Sequence, residues 1–473
     1  MNTNNILLNS VLDSDSYKFT QPIYYPEGME NLYSYIEARG GKYDSTMFFG
    51  LQIYLKEYLS RKITQEMVEE AKEFIDQHIG LNVFNYEGWS YIATELKGEL
   101  PLLICAVAEG SLIPNKNVLV TIQCTDPKVP WLTSFVETSI LRSVWFGSTV
   151  ATISYNMRQT CKKYLEETAD NFDSLPFSIL DFGARGANSF ESAGIAACAN
   201  LSTGMMGSDT ITGNLFAKKY YNAFMPSYSV RATEHSVMTS YGKENEYESL
   251  KRILELTPDG QIISIVLDSW DCFTAAKYLV DLKDIVISKN LQLVCRPDSG
   301  EPSEVLPKLY KILEDGYGHT INVKGYKILN NVKLLWGDGI SPDNIFKMLD
   351  IVKNIGYSTQ TIMLGCGGKL VQENISRSTL NFAMKASAIE IDEVWKDICK
   401  DPVTDPGKQS KKGRVKLYKD HNENKIFSTS FLTREFGDEY ELLLIPVFKN
   451  GKILREYSFD EVRQNSEKCQ NGK

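Results

Sequence analysis

Phe177-Ser178-Ile179-Leu180-Asp181-Phe182-Gly183-Ala184-Arg185-Gly186 is a short apolar run that stops at polar and glycine-rich residues. The figure recurs along the chain. Ile262–Leu267 leads into Asp268, and Leu291–Cys295 into Arg296-Pro297-Asp298-Ser299-Gly300. Val332–Trp336 leads into Gly337-Asp338-Gly339, and Thr361–Leu364 into Gly365-Cys366-Gly367-Gly368. Between the runs apolar residues recur at helical spacing, as at Val305, Leu309 and Leu313 or Ile345, Leu349 and Val352. Alternating strand and helix over residues 177–385 predicts an α/β fold with a parallel sheet, either open and doubly wound or closed into a barrel. Both forms place active sites where the carboxyl ends of the strands feed the loops, and the polar residues quoted sit there.

The flanks read differently. Residues 1–176 look mixed α/β: Leu51, Leu55, Tyr58 and Leu59 form one helical stripe, and Thr64 is placed to cap the next helix. After residue 385 the chain turns strand-like and then enters the Lys-, Pro- and Gly-rich stretch Lys400–Arg414. Ser458 and Glu461 have capping-box spacing for a last helix, and the polar tail beyond Gln464 is expected to fray. The expected division is therefore 1–176, 177–385 and 386–473.

Bulk properties narrow the function. The 473 residues are 43% hydrophobic and 23% charged, with a formal net charge of −9. A broad nucleic-acid surface is not expected, and a polyanionic small substrate needs a local cationic cluster. The nine cysteines lack any C-x-x-C pair and read as reduced thiols of a cytoplasmic protein; the histidines (His78, His235, His319, His421) lack metal-ligand spacing. Residues 1–18 show no basic region before the short apolar Ile6–Leu8, so no secretory leader is expected. The apolar run Leu102–Ala108 is too short to cross a bilayer.

Several groups are chemical candidates. In Glu234-His235-Ser236 the imidazole is either a hydrogen-bonded structural histidine or a catalytic or phosphorylatable one, with Asp268 as orienting partner. Gly337-Asp338-Gly339 and Gly365-x-Gly367-Gly368 are either tight turns or loops whose backbone N–H groups approach a phosphate; neither is a P-loop. Lys400, Lys408, Lys411, Lys412 and Arg414 form either a solvated basic loop or the required polyanion clamp. Asp268, Asp298 and Asp338 are candidates for Mg²⁺ or ribose hydroxyls, with capping of the following helix as the other reading of Asp298.

Taken in order, these and further segments resemble the nicotinamide phosphoribosyltransferase family. The additional pieces are Asp15-Ser16-Tyr17-Lys18, Tyr33-Ser34-Tyr35-Ile36-Glu37-Ala38-Arg39, Gly207-Ser208-Asp209-Thr210, Asp401-Pro402-Val403-x-Asp405-Pro406 and Ser410-Lys411-Lys412-Gly413-Arg414. The resemblance spans nearly the whole chain. It implies a type II phosphoribosyltransferase fold: an irregular β/α barrel with a second α/β domain formed by both chain ends. It also implies a homodimer with shared active sites. Nicotinamide would lie between Phe182 and the neighbour's Tyr17, near Arg296, with Asp209 accepting from its carboxamide. Gly337, Asp338, Gly367 and Gly368 would line the phosphate site, and Arg39, Arg185, Arg377, Lys385, Lys400 and Lys408 would grip the phosphate and pyrophosphate of phosphoribosyl pyrophosphate (PRPP). His235 matches the histidine that ATP phosphorylates.

The chemistry fits those residue types. Cations and Mg²⁺ stabilise departing pyrophosphate, and one well-placed donor is typically worth roughly 3–4 kcal/mol. The pyridine nitrogen already carries a lone pair, so no general base is required. Asp209 sets the expected choice of base: it accepts from an amide and repels a carboxylate, favouring nicotinamide over nicotinate. The alternatives are a nicotinate or quinolinate phosphoribosyltransferase, or a non-catalytic nucleotide-binding dimer. Against animal members of the family, Leu180 replaces a usual histidine, Lys369 replaces a third glycine, one extra residue precedes Arg377 and the stretch after Arg39 is shorter, which points to a bacterial or viral relative.

Overall fold

The structure, a computed structural model, describes residues 9–404, 409–431 and 439–471. The chain forms two compact units. One comprises residues 1–152, 219–222 and 375–473, and the other residues 153–218 and 223–374.

The second unit carries the repeated strand–helix pattern. Its sheet runs, in spatial order, Gly207–Ser208, Ile179–Asp181, Ile362–Cys366, Val332–Trp336, Gln292–Arg296, Ile262–Val266 and Arg231–Ala232. Every neighbouring pair is parallel. The sheet curls, because residues 228–232 reach both of its edges: Tyr228 bridges Gly207, and Arg231 pairs with Ile263. Tyr228–Val230 forms this connection, and the strand itself is Arg231–Ala232. Helices Cys272–Asp281, Pro302–Tyr317 and Ile345–Asn354 bury Leu279, Leu309, Leu313, Leu349 and Val352, the apolar positions of their 3.6-residue period.

The first unit is built from both chain ends. Met29–Ala38 pairs antiparallel with Phe382–Ile391 on one side and Val118–Cys124 on the other. Leu102–Ala106 pairs with Val118–Cys124 and with Ile445–Lys449. Tyr35, Ile36, Ile104, Val120, Phe382 and Phe448 fill its core.

Three sequence readings change. The boundaries drawn at 176/177 and 385/386 fall at 152/153 and 374/375, because Phe382–Ile391 hydrogen-bonds along most of its length to Met29–Ala38. As far as Asn471 the tail beyond Gln464 is helical where fraying is expected: one helix runs Phe459–Asn471, with Ser466 fully buried and Cys469 Sγ bonded to the Asn465 carbonyl. That helix opens with the reciprocal Ser458–Glu461 capping box, at 2.7 Å and 3.2 Å. The stripe at Leu51–Leu59 is an α-turn followed by a π-helical segment. Thr64 caps Gln65–His78, accepting from the Met67 N–H at 3.3 Å.

Candidate active site

The inner face of the curled sheet encloses a cavity of about 800 Å³. Phe182, Asp209 and Arg296 line it at the carboxyl ends of their strands. Phe182 is held by its N–H, which donates to the Cys366 carbonyl at 2.9 Å. Its ring occupies space that only a glycine leaves free, since a Cβ on Gly365 would stand 2.4 Å from Phe182 Cε2. Asp209 Oδ1 accepts from the Ser229 hydroxyl at 2.6 Å. Arg296 Nε lies 3.6 Å from Asp298 Oδ2, an ion pair without a hydrogen bond, so this buried N–H has no hydrogen-bond partner.

Beside these groups stands an ionisable cluster. His235 opens the short helix His235–Thr239, half exposed, and its Nε2 lies 3.0 Å from Asp268 Oδ1. Glu234 occupies the N-cap position and accepts from the Ser236 hydroxyl rather than from the imidazole. Burial pushes the Asp298 carboxyl up; Arg296 and His235 pull it down, while Asp268 and Asp338 add to the rise. Asp298 does not cap the next helix, which begins at Pro302 with Glu301 at its N-cap. Among the described residues no three His, Cys, Asp or Glu side chains form a ready metal cage.

The glycine loops come close together. A Cβ on Gly337 would meet Asp298 Oδ1 at 2.7 Å, and one on Gly186 would meet Gly368 Cα at 2.9 Å. Gly339 takes φ +66°, with open space beside it. Lys369, the substituted third glycine, reaches across to donate to the Gly339 carbonyl at 3.5 Å. Asp338 and Arg185 are exposed at the ends of their strands, and a Cβ on Gly367 would lie 3.9 Å from the Phe182 carbonyl oxygen.

Tyr17, Arg39, Arg377, Lys385 and Lys400 belong to the first unit. Tyr17 is 56% exposed, and the neighbouring Lys18 is buried against Glu137 at 2.5 Å and Ser134 at 3.0 Å. The structure brings the four cations to bear on one another. Burial lowers the Lys385 pKa and Glu137 opposes that, while Arg39, Lys400 and Arg377 push it further down. Arg39 Nε is tied to buried Glu37 at 2.8 Å, and its Nη2 is buried without a partner. Lys411 also pairs with Glu37, and Arg414 stacks over Trp395. Lys408 lies outside the described residues.

Sequence reasoning missed Glu37, Ser229 and Lys333. Lys333 projects into the cavity in a row with Ser264 and Val294, and burial lowers its pKa. The parallel register makes that row, and nothing in Val332–Trp336 taken alone marks its lysine as inward.

Comparison with known proteins agrees across the chain. Residues 177–440 match the Nicotinate phosphoribosyltransferase (NAPRTase) family, and residues 9–104 match the Nicotinamide phosphoribosyltransferase, N-terminal domain. A nicotinamide phosphoribosyltransferase of Xanthomonas campestris pv. campestris is 38% identical over 465 residues, covering 97% of this chain and 98% of the relative. One from Mycoplasma pneumoniae is 32% identical over 450 residues, covering 87% and 96%. Among solved structures, nicotinate-nucleotide pyrophosphorylase from Pyrococcus furiosus aligns with a TM-score of 0.63 at 15% identity, over 100% of this chain and 96% of that one. Human nicotinic acid phosphoribosyltransferase aligns with a TM-score of 0.58 at 14% identity, over 97% and 93%. At such identities the likeness is one of fold, and it is the fold that the resemblance implied.

Proposed function

This chain belongs to the nicotinamide phosphoribosyltransferase family, and from that premise we propose that it joins nicotinamide to PRPP, releasing pyrophosphate and making nicotinamide mononucleotide for NAD biosynthesis. One observation carries the choice of base: a carboxylate, Asp209, stands with Phe182 and Arg296 on the wall of a single cavity. Its Oδ1 already takes the Ser229 hydroxyl, which turns the carboxylate without neutralising it. A carboxamide N–H₂ would donate to it, whereas nicotinate would bring a second negative charge to the same place.

The reaction separates a pyridinium-forming bond from a polyanionic leaving group. The Phe182 ring would orient the base, with the neighbouring protomer's Tyr17 on its other face. Arg296, with its unspent N–H, would meet the phosphorylated ribose. The loops at Gly337–Asp338 and Gly367–Gly368, with Arg185, would receive the 5′-phosphate, and Arg39, Arg377, Lys385, Lys400 and Lys408 the pyrophosphate. No side chain has to remove a proton from the base.

Mg²⁺ fits as an ion carried in with PRPP. Asp268 and Asp338 raise the cost of ionising Asp298, which a cation relieves, and with no ready cage among the described residues the substrate's oxygens and water would complete its shell. Such an ion would neutralise charge on the departing pyrophosphate. His235, turned by Asp268 at 3.0 Å, is the candidate for phosphorylation by ATP, which would place negative charge beside the reacting ribose and couple ATP hydrolysis to synthesis. Homodimerisation and cytoplasmic residence belong to the same reading. All nine cysteines are free, and no helix among the described residues is long and apolar enough to cross a membrane.

The test is to mix protein, PRPP, Mg²⁺ and either nicotinamide or nicotinate, with and without ATP, and to measure the mononucleotide. Nicotinamide is expected to be preferred by about a hundredfold, with synthesis faster in ATP. Faster turnover of nicotinate refutes the assignment of the base, and ATP stimulation that survives His235→Ala refutes the phosphohistidine.

A further inference from the structure

Asp181 is fully buried in a position where its neighbours face the cavity. Leu180 and Phe182 line that cavity and Asp181 does not, as strand alternation requires. A carboxylate placed there touches no substrate, yet it carries the desolvation cost of a buried acid. Burial pushes its pKa up, the Gly183 N–H and the Ser208 hydroxyl pull it down, and the charge of Asp209 adds to the rise.

Its bonds explain its presence. Oδ1 accepts from the Gly183 N–H at 2.8 Å, just beyond Phe182. Oδ2 accepts from the Ser208 hydroxyl at 2.9 Å, just before Asp209. The Asp181 carbonyl accepts from the Asp209 N–H at 2.9 Å. Ser208 Oγ in turn accepts from the Thr210 N–H at 3.1 Å, gripping the far side of Asp209. One residue therefore holds both the loop that carries the aromatic face and the loop that carries the amide acceptor.

We propose that Asp181 is a positioning residue that sets base selectivity, its two carboxylate oxygens fixing the spacing between the Phe182 ring and the Asp209 carboxylate. This rests on the proposed nicotinamide activity. A displacement of about 1 Å at a recognition group can cost on the order of a hundredfold in rate, so a partial loosening is expected to cost about tenfold. The loss falls first on the base, because Asp181 grips the residues flanking Phe182 and Asp209 directly and reaches the phosphate loops only through Gly183 and its pairing with Cys366.

The experiment compares wild type, Asp181→Asn, Ser208→Ala and the double variant, with nicotinamide, nicotinate and PRPP each varied. Asn keeps the shape and an acceptor for the Gly183 N–H, but its N–H₂ faces the Ser208 hydroxyl, which must turn from donor to acceptor, so a charge-assisted grip becomes a weaker neutral one. The expected result for Asp181→Asn is a rise in KM for nicotinamide and a nicotinamide-to-nicotinate ratio of kcat/KM lowered about tenfold, with KM for PRPP changed by less than KM for nicotinamide. Ser208→Ala should move the ratio in the same direction by less, and the double variant should fall short of the product of the two. A merely structural Asp181 would lower melting temperature and kcat while leaving the ratio intact, and that outcome overturns the proposal. Should Asp181→Asn fail to fold, an unchanged ratio in Ser208→Ala overturns it as well. Wild type that does not use nicotinamide refutes the parent reading instead, and is distinguished because it appears before any variant is compared.

Discussion

Glu37 offers the sharpest perturbation of the cationic cluster. It lies in the buried strand Met29–Ala38, 3% exposed, where its carboxylate accepts from Arg39 Nε at 2.8 Å and from Lys411 Nζ. Its other surroundings are cationic as well, because Arg39 belongs with Lys385, Lys400 and Arg377. Glu37→Gln keeps the shape, removes the charge and leaves one acceptor for two cations. Breaking a buried pair costs about 3–5 kcal/mol, and the retained carbonyl places the expected loss near the lower end, about 3 kcal/mol. For a unit of this size each kcal/mol moves the melting temperature by about 2–4 °C, so the first unit should melt roughly 6–12 °C lower. The variant's cluster carries one more net positive charge, so pyrophosphate should bind it no more weakly than wild type. Pyrophosphate at about a hundred times Kd adds about 2.7 kcal/mol to any protein that binds it, so at a fixed concentration the variant should gain at least as much as wild type. Kcat is expected to fall, since Arg39 loses the partner that aims it. Differential scanning fluorimetry with and without pyrophosphate, together with PRPP kinetics, measures all of this. A melting temperature within about 2 °C of wild type, or a smaller pyrophosphate-induced shift in the variant than in wild type, refutes the reasoning.

Lys385 predicts a pH effect on PRPP. Burial and three neighbouring cations lower its pKa below the usual lysine value, so its charge is lost as pH rises through that lowered value. KM for PRPP should climb in the window below pH 10.5, and Lys385→Arg, which stays charged, should move the climb to higher pH. Gly365→Ala would put a methyl 2.4 Å from the Phe182 ring and 3.3 Å from Gly337 Cα, so KM for nicotinamide should rise at least about tenfold with a stability loss of about 1–3 kcal/mol. Glu109 is 2% exposed and accepts from the Gln52 N–H at 2.6 Å and the Tyr221 hydroxyl at 2.5 Å, and burial raises its pKa. A raised folded pKa means stability that is present below the unfolded value of 4.5 and lost as pH climbs through the folded one. Glu109→Gln should therefore gain on wild type as pH rises across that window, read by urea unfolding between about pH 5 and pH 8.

The barrel was legible because five of the seven strands of its sheet are short apolar runs closed by polar or glycine residues, and that figure depends only on local sequence. Gln292–Arg296 and Val332–Trp336 came out within a residue of their expected limits. What stayed hidden depends on partners distant in sequence. The boundary drawn at 385/386 cuts through Phe382–Ile391, and only its hydrogen bonds to Met29–Ala38 assign the whole strand to the first unit. Tyr228–Val230 has strand composition but bridges two sheet edges. Glu37 looks like any acid in a strand, and only the arrival of Arg39 and Lys411 gives it a role. Asp298 shows the opposite case: both readings of it were chemically sound, and the helix starting at Pro302 removed one of them.

Two aspartates, Asp181 and Asp209, show how position divides labour between identical side chains. Both sit at the carboxyl ends of neighbouring parallel strands, Asp181 paired with Ser208 in register, and the chain joins them again through the Asp209 N–H. Asp181 falls on the outer face and is wholly desolvated, so its oxygens can be satisfied only by protein donors and are committed to holding loops. Asp209 falls on the cavity wall, where one oxygen takes Ser229 and the carboxylate remains available to a ligand donor. Exchanging their surroundings would exchange their functions. On the proposed reading the charge of Asp209 alone would be insufficient for selectivity: an acceptor free to swing would meet an amide in several poses and exclude a carboxylate poorly. The buried partner converts a charge into a direction, and a base that must present its ring nitrogen to the ribose needs that direction as much as it needs the charge.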